Sequence, residues 1–291
     1  MLKRIITAVI GLPLIIAVIV TGSGLLQLAL FIVAIVGMSE MYNATLNDRG
    51  KELKLVAYVF AAIYYLMIGN VGSGFFSVYF STIERHFSNF FLVFSAMFII
   101  ALLASLVIGH QRISLADCAI VLMGFFHIAF LLSFIYMVRH YIYGSHFVWL
   151  IFIAAWGCDT SAYFAGITLG KHKLAPILSP KKTVEGAIGG VVGAGAIAAV
   201  YGYVITQFFI FPEPDIHIIL FCTVASAVGA VFAQLGDLAA SAIKRSTGVK
   251  DYGDILPGHG GIIDRFDSVL FTAPIVYIVM FVLLNFYYRW Y

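Results

Sequence analysis

The feature that most constrains this chain is a series of nine apolar runs, each long enough to cross a bilayer as a helix. A spanning helix needs about 20 apolar residues. The runs cover approximately residues 5–22, 25–43, 55–72, 90–109, 115–138, 147–170, 185–207, 216–243 and 267–288. Charged residues make up 11% of the chain, against about 25% in soluble domains. We therefore predict an all-α polytopic integral membrane protein without a separate soluble domain of useful size.

The distribution of Lys and Arg predicts how these helices are oriented. With the N-terminus in the cytoplasm, fourteen of the seventeen basic residues fall on the cytoplasmic side and three on the other. The positive-inside rule therefore favours nine spans with the N-terminus inside and the C-terminus outside. It places two loops rich in basic residues, 171–184 and 244–266, on the cytoplasmic face. The bacterial-sized single chain suggests the plasma membrane, although an organelle membrane remains an alternative.

Several features have structural interpretations. The basic, apolar N-terminus lacks an A-x-A-like cleavage site, so we expect an uncleaved first span. The segment 73–89 is amphipathic at best and is interpreted as interfacial or extramembrane. Three cysteines lie in apolar runs without CxxC spacing, which indicates packed thiols. Glu40, Asp117 and His127 are interpreted as packed or interhelical polar groups. Polar sequence patterns concentrate late in the chain, so we divide it into a transmembrane scaffold, residues 1–146, and a functional region, residues 147–291.

The sixth run contains a carboxylate. An Asp at the centre of a membrane helix costs about 2.5–3.5 kcal/mol on insertion scales. Asp159, Tyr163, Gly166 and Gly170 are spaced four, three and four residues apart, so they share one helix face. Asp159 is then either a structural group bonded to a neighbouring helix or part of the wall of a polar cytoplasmic cavity. In the second case the glycines would let another helix or a ligand approach closely.

The loop after this run has the character of a phosphate site. Lys181 and Lys182 precede Thr183, a suitable N-cap, and Glu185 follows in a glycine-rich helix. A helix N-terminus beside two lysines suits a phosphate group. The alternative is a basic loop that only sets topology or touches anionic lipid heads. The spacing does not match a Walker A motif.

The end of the eighth run carries a second polar face. Asp237, Ser241 and Lys244 are four and three residues apart and share one side of the helix, with Arg245 beside them. A charged patch next to lipid is costly unless it performs chemistry or binds ions. The patch continues through Lys250 into a turn that contains several glycines.

This turn, Pro257-Gly258-His259-Gly260-Gly261, leads into Asp264, Arg265 and Asp267. Glycines at this density expose backbone N–H groups to a ligand, and His259 is a hydrogen-bond donor or a cap of the turn. Together with Asp237, the residues Asp264 and Asp267 give three carboxylates near the membrane boundary. Such a group suits Mg²⁺ bound together with substrate phosphates. The basic residues of this stretch would balance those phosphates. The alternative is a salt-bridged surface loop.

The late polar stretch contains a long motif, Ser241-x-x-Lys244-Arg245 … Lys250-Asp251-x-Gly253 … Pro257-x-His259-Gly260-Gly261-x-x-Asp264-Arg265-x-Asp267. This motif resembles the signature of the phosphatidate cytidylyltransferases, also called CDP-diacylglycerol synthases. Two earlier stretches resemble a second block of that family: Asp159-x-x-Ala162-Tyr163 and Ser179-Pro180-Lys181-Lys182-Thr183-x-Glu185-Gly186. The resemblance covers roughly residues 150–290. Because the pattern is long and gapless, it is highly specific.

The resemblance implies an integral membrane enzyme that joins CTP and phosphatidic acid to give CDP-diacylglycerol and pyrophosphate. It implies Mg²⁺ dependence, with a possible second monovalent or divalent cation, and metal-binding roles for Asp237 and Asp264, with Asp267 near them. Ser241, Lys244 and Arg245 map onto the family's active-site helix; His259 and Arg265 fall in the same signature. It also implies a homodimer whose site opens to the cytoplasm and the bilayer. No nucleic-acid partner is expected.

The substrate-contacting residues are predicted less specifically than the reaction. The candidates for contacts with substrate or phosphate are Lys181, Lys182, Lys250, Asp159, Tyr163, Thr183, Glu185, Gly260 and Gly261. Two other functions remain open. One is a different CTP-dependent lipid kinase or nucleotidyltransferase, and the other is a secondary transporter, which also places carboxylates inside membrane helices. The clustering of polar residues on one face and the lack of a repeat argue against the transporter.

Overall fold

A computed structural model of the chain describes residues 2–46, 50–69, 87–211, 214–255 and 260–288. Helices account for most of these residues: α1 Leu2–Thr21, α2 Ser23–Leu46, α3 Lys51–Gly69, α4 Phe87–Ile108, α5 Leu115–His140, α6 Gly144–Leu169, α7 Val184–Phe208, α8 Asp215–Thr247 and α9 Ile263–Tyr288. Two of them contain a π-helical segment, Phe125–Phe130 in α5 and Ile153–Gly157 in α6. The prediction of an all-α polytopic membrane protein is confirmed.

Eight of these helices are long and apolar enough to cross a membrane. The first predicted span corresponds to α1, of which Gly11–Thr21 is a shorter apolar helix. The outward side of α4 is apolar: Leu92 is 73% exposed and Ile108 is 86% exposed, as expected where lipid replaces water. The segment 73–89 falls almost entirely outside the described residues. Its interfacial location and the orientation of the helices in the membrane stay predictions.

One compact unit, which we call unit 1, comprises Met1–Tyr136 and Asp251–Ile263. Its interior is aromatic. The rings of Tyr64 and Phe125, both buried, are 5.7 Å apart, and the hydroxyl of Tyr64 is 2.8 Å from that of Ser133. Helix α5 begins with a capping box, in which the Ser114 hydroxyl accepts from Asp117 N and the Asp117 carboxylate accepts from Ser114 N. Asp117 is therefore a structural group, as interpreted from the sequence, but its hydrogen bonds cap its own helix and do not join two helices.

The second compact unit, unit 2, comprises Met137–Lys250 and Asp264–Tyr291. Between α6 and α7 its chain forms a short antiparallel hairpin, β1 Lys173–Ala175 and β2 Ser179–Thr183, which the sequence analysis treated as a loop. Thr183 then starts α7 as its N-cap, because its hydroxyl accepts a hydrogen bond of 3.1 Å from Gly186 N. The predicted cap is confirmed. The division of the chain at residue 146 stays a prediction.

Small residues bring α6 and α7 into close contact. A Cβ atom at Gly186 would lie 2.9 Å from the Ala162 carbonyl oxygen, and one at Gly190 would lie 2.8 Å from Cys158 Sγ. Membrane helices approach closely where such small residues line the interface. Gly166 belongs to the same interface, so a glycine of the sixth run does admit a neighbouring helix, as its spacing predicted.

We expect Gly189→Ala to destabilise the α6–α7 contact. The added Cβ would overlap that of Ala165, which has no flexible end that could move aside. Overpacking of this kind costs roughly 1–3 kcal/mol, which corresponds to a fall in Tm of roughly 2–10 °C. Gly195→Ala in the same helix is the control, because its Cβ would meet Ala227 at an ordinary 3.5 Å. Thermal unfolding in detergent checks this, and equal Tm values for the two variants would contradict it.

Candidate functional site

A pocket of about 330 Å³ lies in unit 2 between α6, the hairpin and the start of α7. Five of the predicted site residues line it: Asp159, Tyr163, Lys181, Lys182 and Thr183. The volume falls within the range of small-molecule sites, roughly 300–1,000 Å³. The structure therefore brings the Asp159 face of the sixth run and the basic loop to one cavity, with Tyr163 63% exposed on its wall.

An ion pair joins the hairpin to α8. Lys182 in β2 contacts Asp237, and both side chains are partly exposed, at 25% and 30%. A partly exposed ion pair of this kind adds little to the free energy of unfolding. Its consequence is geometric, since it connects the lysine loop beside the pocket to the polar face of α8 that the sequence singled out.

Further carboxylates gather around Asp237. Asp159 and Asp267 each lie within electrostatic range of Asp237 and of one another. Gly236 explains how Asp267 comes so near, because a Cβ there would lie 2.5 Å from the Asp267 carbonyl oxygen. Helices α8 and α9 therefore meet beside Asp237. Negative charges this close to one another repel, so positively charged side chains or ions next to these carboxylates are favourable.

A second ion pair links the ends of α8 and α9. Lys244 Nζ lies 2.7 Å from Asp264 Oδ1, and the two side chains are only 16% and 4% exposed. Lys244 is also within electrostatic range of Asp267. Removing one partner of a buried pair is strongly unfavourable, so each of these two side chains depends on the other.

We call these six side chains the carboxylate–lysine network: Asp159, Lys182, Asp237, Lys244, Asp264 and Asp267. Each interacts with at least one other member. When all are ionised, the four carboxylates exceed the two lysines by two negative charges. In that fully ionised state the network attracts cations, and it lies beside a pocket that offers basic side chains to an anion.

The donor chemistry of the network suits Mg²⁺ only if a substrate completes the site. Among the residues that the structure describes, no three Asp, Glu, His or Cys side chains converge as a ready-made metal site. Magnesium is usually held by one or two carboxylates together with substrate phosphates. Asp237 and Asp264, the predicted metal ligands, each contact a lysine, and a metal role for either stays a prediction.

Glu185 serves the loop rather than the open pocket. Its carboxylate accepts hydrogen bonds from Lys171 N at 3.0 Å and His172 N at 3.1 Å, and lies 2.6 Å from His172 Nδ1. The first turn of α7 thereby holds the chain that leaves α6. Its predicted contact with substrate stays a prediction, whereas its contact with the hairpin base is a feature that the sequence analysis missed.

We expect Glu185→Ala to loosen the base of the hairpin. Hydrogen bonds to a charged carboxylate are stronger than those between neutral groups, so without this acceptor tryptic cleavage after Lys171 and Lys173 should quicken about tenfold through local opening. Glu52→Ala is the matched control, since Glu52 holds the same second position in α3. Unchanged cleavage of the hairpin in Glu185→Ala would show that the clamp contributes nothing to its order.

The remaining predicted residues occupy varied positions. Arg245, Lys250 and Arg265 are exposed, and Ser241 is half-buried one helical turn beyond Asp237. Gly260 has φ +84°, a left-handed conformation that favours glycine. Gly261 is buried in unit 1. His259 lies outside the described residues. The three cysteines are free and buried, as their apolar surroundings predicted.

Two further polar residues have contacts that the sequence did not reveal, one in unit 2 and one in unit 1. Gln234 lines the pocket and donates from Nε2 to the Ala187 carbonyl at 3.0 Å. Its position three residues before Asp237 was the available signal, since it shares that helix face. Glu40 in unit 1 is 4% exposed and accepts hydrogen bonds from Ile262 N and Ile263 N. An acid inside an apolar helix was its signal.

Comparisons with known proteins identify the family of the chain. The sequence model of the cytidylyltransferase family matches residues 2–283. A phosphatidate cytidylyltransferase of Staphylococcus haemolyticus is 33% identical over 279 residues, which covers 95% of this chain and 98% of the relative. Proteins of the same name from Staphylococcus epidermidis and Staphylococcus aureus are each 32% identical, with the same shares of both chains covered.

Proposed function

This chain belongs to the cytidylyltransferase family, and from that premise we propose that it transfers the cytidylyl group of CTP to phosphatidic acid. The products are CDP-diacylglycerol and pyrophosphate, made for phospholipid synthesis in a bacterial plasma membrane. The observation that carries this proposal is the carboxylate–lysine network beside a pocket with basic walls. Two anionic substrates can meet there only if such groups control the charge.

The reaction is a substitution at phosphorus. An oxygen of the phosphatidate phosphate attacks the α-phosphorus of CTP in line, a new P–O bond forms, and the bond to the β-phosphate oxygen breaks so that pyrophosphate leaves. The attacking phosphate is already anionic, so it needs no protein base. The chain's contribution is positioning and charge stabilisation.

The lysines supply most of this stabilisation. Lys181 and Lys182 line the pocket and would bind substrate phosphates there. The ammonium group of Lys244, which is paired with Asp264, would also interact with the negative charge that develops on the pyrophosphate. Arg245 is exposed beside Lys244 at the end of α8 and would interact with the same group. Ser241 and Tyr163 offer hydroxyls for orientation.

Magnesium is part of the proposal. Asp237 would hold it together with Asp267 or Asp264, and the substrate's phosphate oxygens would complete its ligands, since Mg²⁺ favours such mixed sets. When bound, the ion supplies Lewis-acid neutralisation of phosphate charge. One Mg²⁺ balances the two excess negative charges of the ionised network, so a further monovalent or divalent cation would be held by the phosphate groups that the substrates add.

We also propose that the site faces the cytoplasm and that the enzyme is a homodimer. The concentration of basic residues in 171–184 and 244–266 supports the cytoplasmic side. The dimer rests on the resemblance of the sequence to its family. Labelling of single introduced cysteines from each side of sealed vesicles tests the orientation, and mass measurement in nanodiscs tests the oligomer.

Position-specific labels separate the candidate reactions. Purified protein in vesicles containing phosphatidic acid receives CTP labelled either at the α- or at the γ-phosphate, with Mg²⁺ or with a chelator. Label in the lipid from α-labelled CTP alone, with release of pyrophosphate, is the expected result. Label in the lipid from γ-labelled CTP would instead indicate a lipid kinase. Absence of both, with movement of a solute across the vesicle, would favour a transporter.

A further inference from the structure

An acid from the second helix holds the backbone where the last helix begins. Glu40 in α2 is 4% exposed. Its Oε1 accepts a hydrogen bond of 2.9 Å from Ile262 N, and its Oε2 accepts one of 3.1 Å from Ile263 N. The first N–H groups of a helix have no acceptor within the helix. Glu40 therefore caps α9 from a position 222 residues earlier in the chain.

Two glycines make room for this cap. A Cβ at Gly261 would lie 2.6 Å from Glu40 Oε2, and one at Gly253 would lie 2.9 Å from Glu40 Oε1. Both distances are too short for a carbon next to a carboxylate oxygen that is fixed by other bonds. Glycine at these two positions lets the backbone lie directly against the acid, a reason for these two glycines that does not involve a ligand.

The cap restrains a segment that leads directly into the network. Asp264 is the next residue after Ile263, and its carboxylate pairs with Lys244. A chain rich in glycine samples many conformations, so the start of α9 needs an external restraint. A negative charge at a helix N-terminus also interacts favourably with the helix dipole.

We infer that Glu40 is a positioning residue for the transfer reaction. By accepting from Ile262 and Ile263 it fixes the start of α9, and with it the directions of the Asp264 and Asp267 side chains. In this role Glu40 acts through the backbone of α9 and not by contact with substrate. The kinetic part of this inference rests on the proposed function, whereas the backbone restraint can be tested without any substrate.

Two variants remove the cap to different degrees. Glu40→Ala deletes both acceptors. Glu40→Gln keeps the shape and one acceptor oxygen, and turns an NH₂ donor towards one of the two backbone donors. Hydrogen exchange of the full-length protein in nanodiscs should quicken at the Ile262 and Ile263 amides, by about tenfold or more in Glu40→Ala and by less in Glu40→Gln.

The kinetic effect should fall on turnover. A displacement of about 1 Å at reacting groups lowers rates by roughly 10²-fold, so we expect kcat of Glu40→Ala to fall by about that factor. The KM for CTP should change by only about threefold or less, because no binding group is removed. Glu40→Gln should lie between the wild type and Glu40→Ala.

Asp117→Asn is the matched control, because Asp117 is also a nearly buried carboxylate of unit 1 that caps a helix. It should lower thermal stability without changing exchange at Ile262 and Ile263 or kcat per folded protein. Unchanged exchange at these amides in Glu40→Ala would overturn the inference, and so would faster exchange with wild-type kcat. If the wild type makes no labelled lipid at all, the proposed function fails while the exchange result still decides the restraint.

Discussion

Asp237→Asn is expected to abolish nearly all transfer of label from α-labelled CTP to lipid, with a loss of roughly 10²–10³-fold or more. Asp237 contacts Lys182 and lies within electrostatic range of Asp159 and Asp267, so it interacts with three other members of the network. An amide keeps the size of the side chain but removes the charge that would hold a divalent cation. The protein should remain folded in the membrane, because the side chain is partly exposed.

Asp215→Asn provides the control for this experiment. Asp215 is an exposed acid in the first turn of the same helix, at the opposite end from the network. It should retain wild-type turnover. If Asp237→Asn kept wild-type turnover as well, the placement of the reaction at the network would be wrong.

The second large effect is expected at Lys182. Lys182→Met should lower kcat by roughly 10²-fold, because it removes a cation from the pocket wall and leaves Asp237 without its contact. The neighbouring Lys181 also lines the pocket but is exposed. Lys181→Met should chiefly raise the KM for CTP or phosphatidic acid, as loss of uniform binding does.

Steady-state kinetics of the two variants, with each substrate varied in turn, checks this contrast. The two substitutions are chemically identical and one residue apart, so effects on membrane insertion or loop charge are shared. Equal effects on kcat would mean that the Lys182–Asp237 contact has no particular role, and that the loop acts only through its total charge.

Helix positions followed from the sequence because lipid imposes a simple rule. Backbone groups in a bilayer must be satisfied within the segment, so a long apolar run has few alternatives to a helix. The predicted run 216–243 corresponds to Asp215–Thr247, and the predicted run 185–207 to Val184–Phe208. Ends were less accurate where a polar turn continues the helix, as at Lys244 and Arg245.

The hairpin could not be predicted by the same reasoning. Its strands contain three and five residues, too few for an alternating pattern, and Pro180 lies within the second. Its order comes partly from Glu185, which binds the backbone of Lys171 and His172. Such contacts join residues whose separation follows no helical or strand period.

The site shows the same limit. Helical spacing predicted that Asp237 and Lys244 share one face of α8, and the resemblance to a family singled out Asp264. Neither the spacing nor the resemblance indicated that Lys182 would contact Asp237 or that Lys244 would contact Asp264, since these pairs depend on how the elements pack together. Glu40 was interpreted as a packed or interhelical polar group, and its partners could not be identified because nothing local connects it with a residue 222 positions later.

The central claim is that carboxylates of the network hold a divalent cation where two anionic substrates meet. Electron paramagnetic resonance of Mn²⁺ added to the protein with CTP measures this binding without turnover. We predict bound Mn²⁺ in the wild type and in Asp215→Asn, and loss of most of that signal in Asp237→Asn. Equal Mn²⁺ binding by all three proteins would contradict the claim.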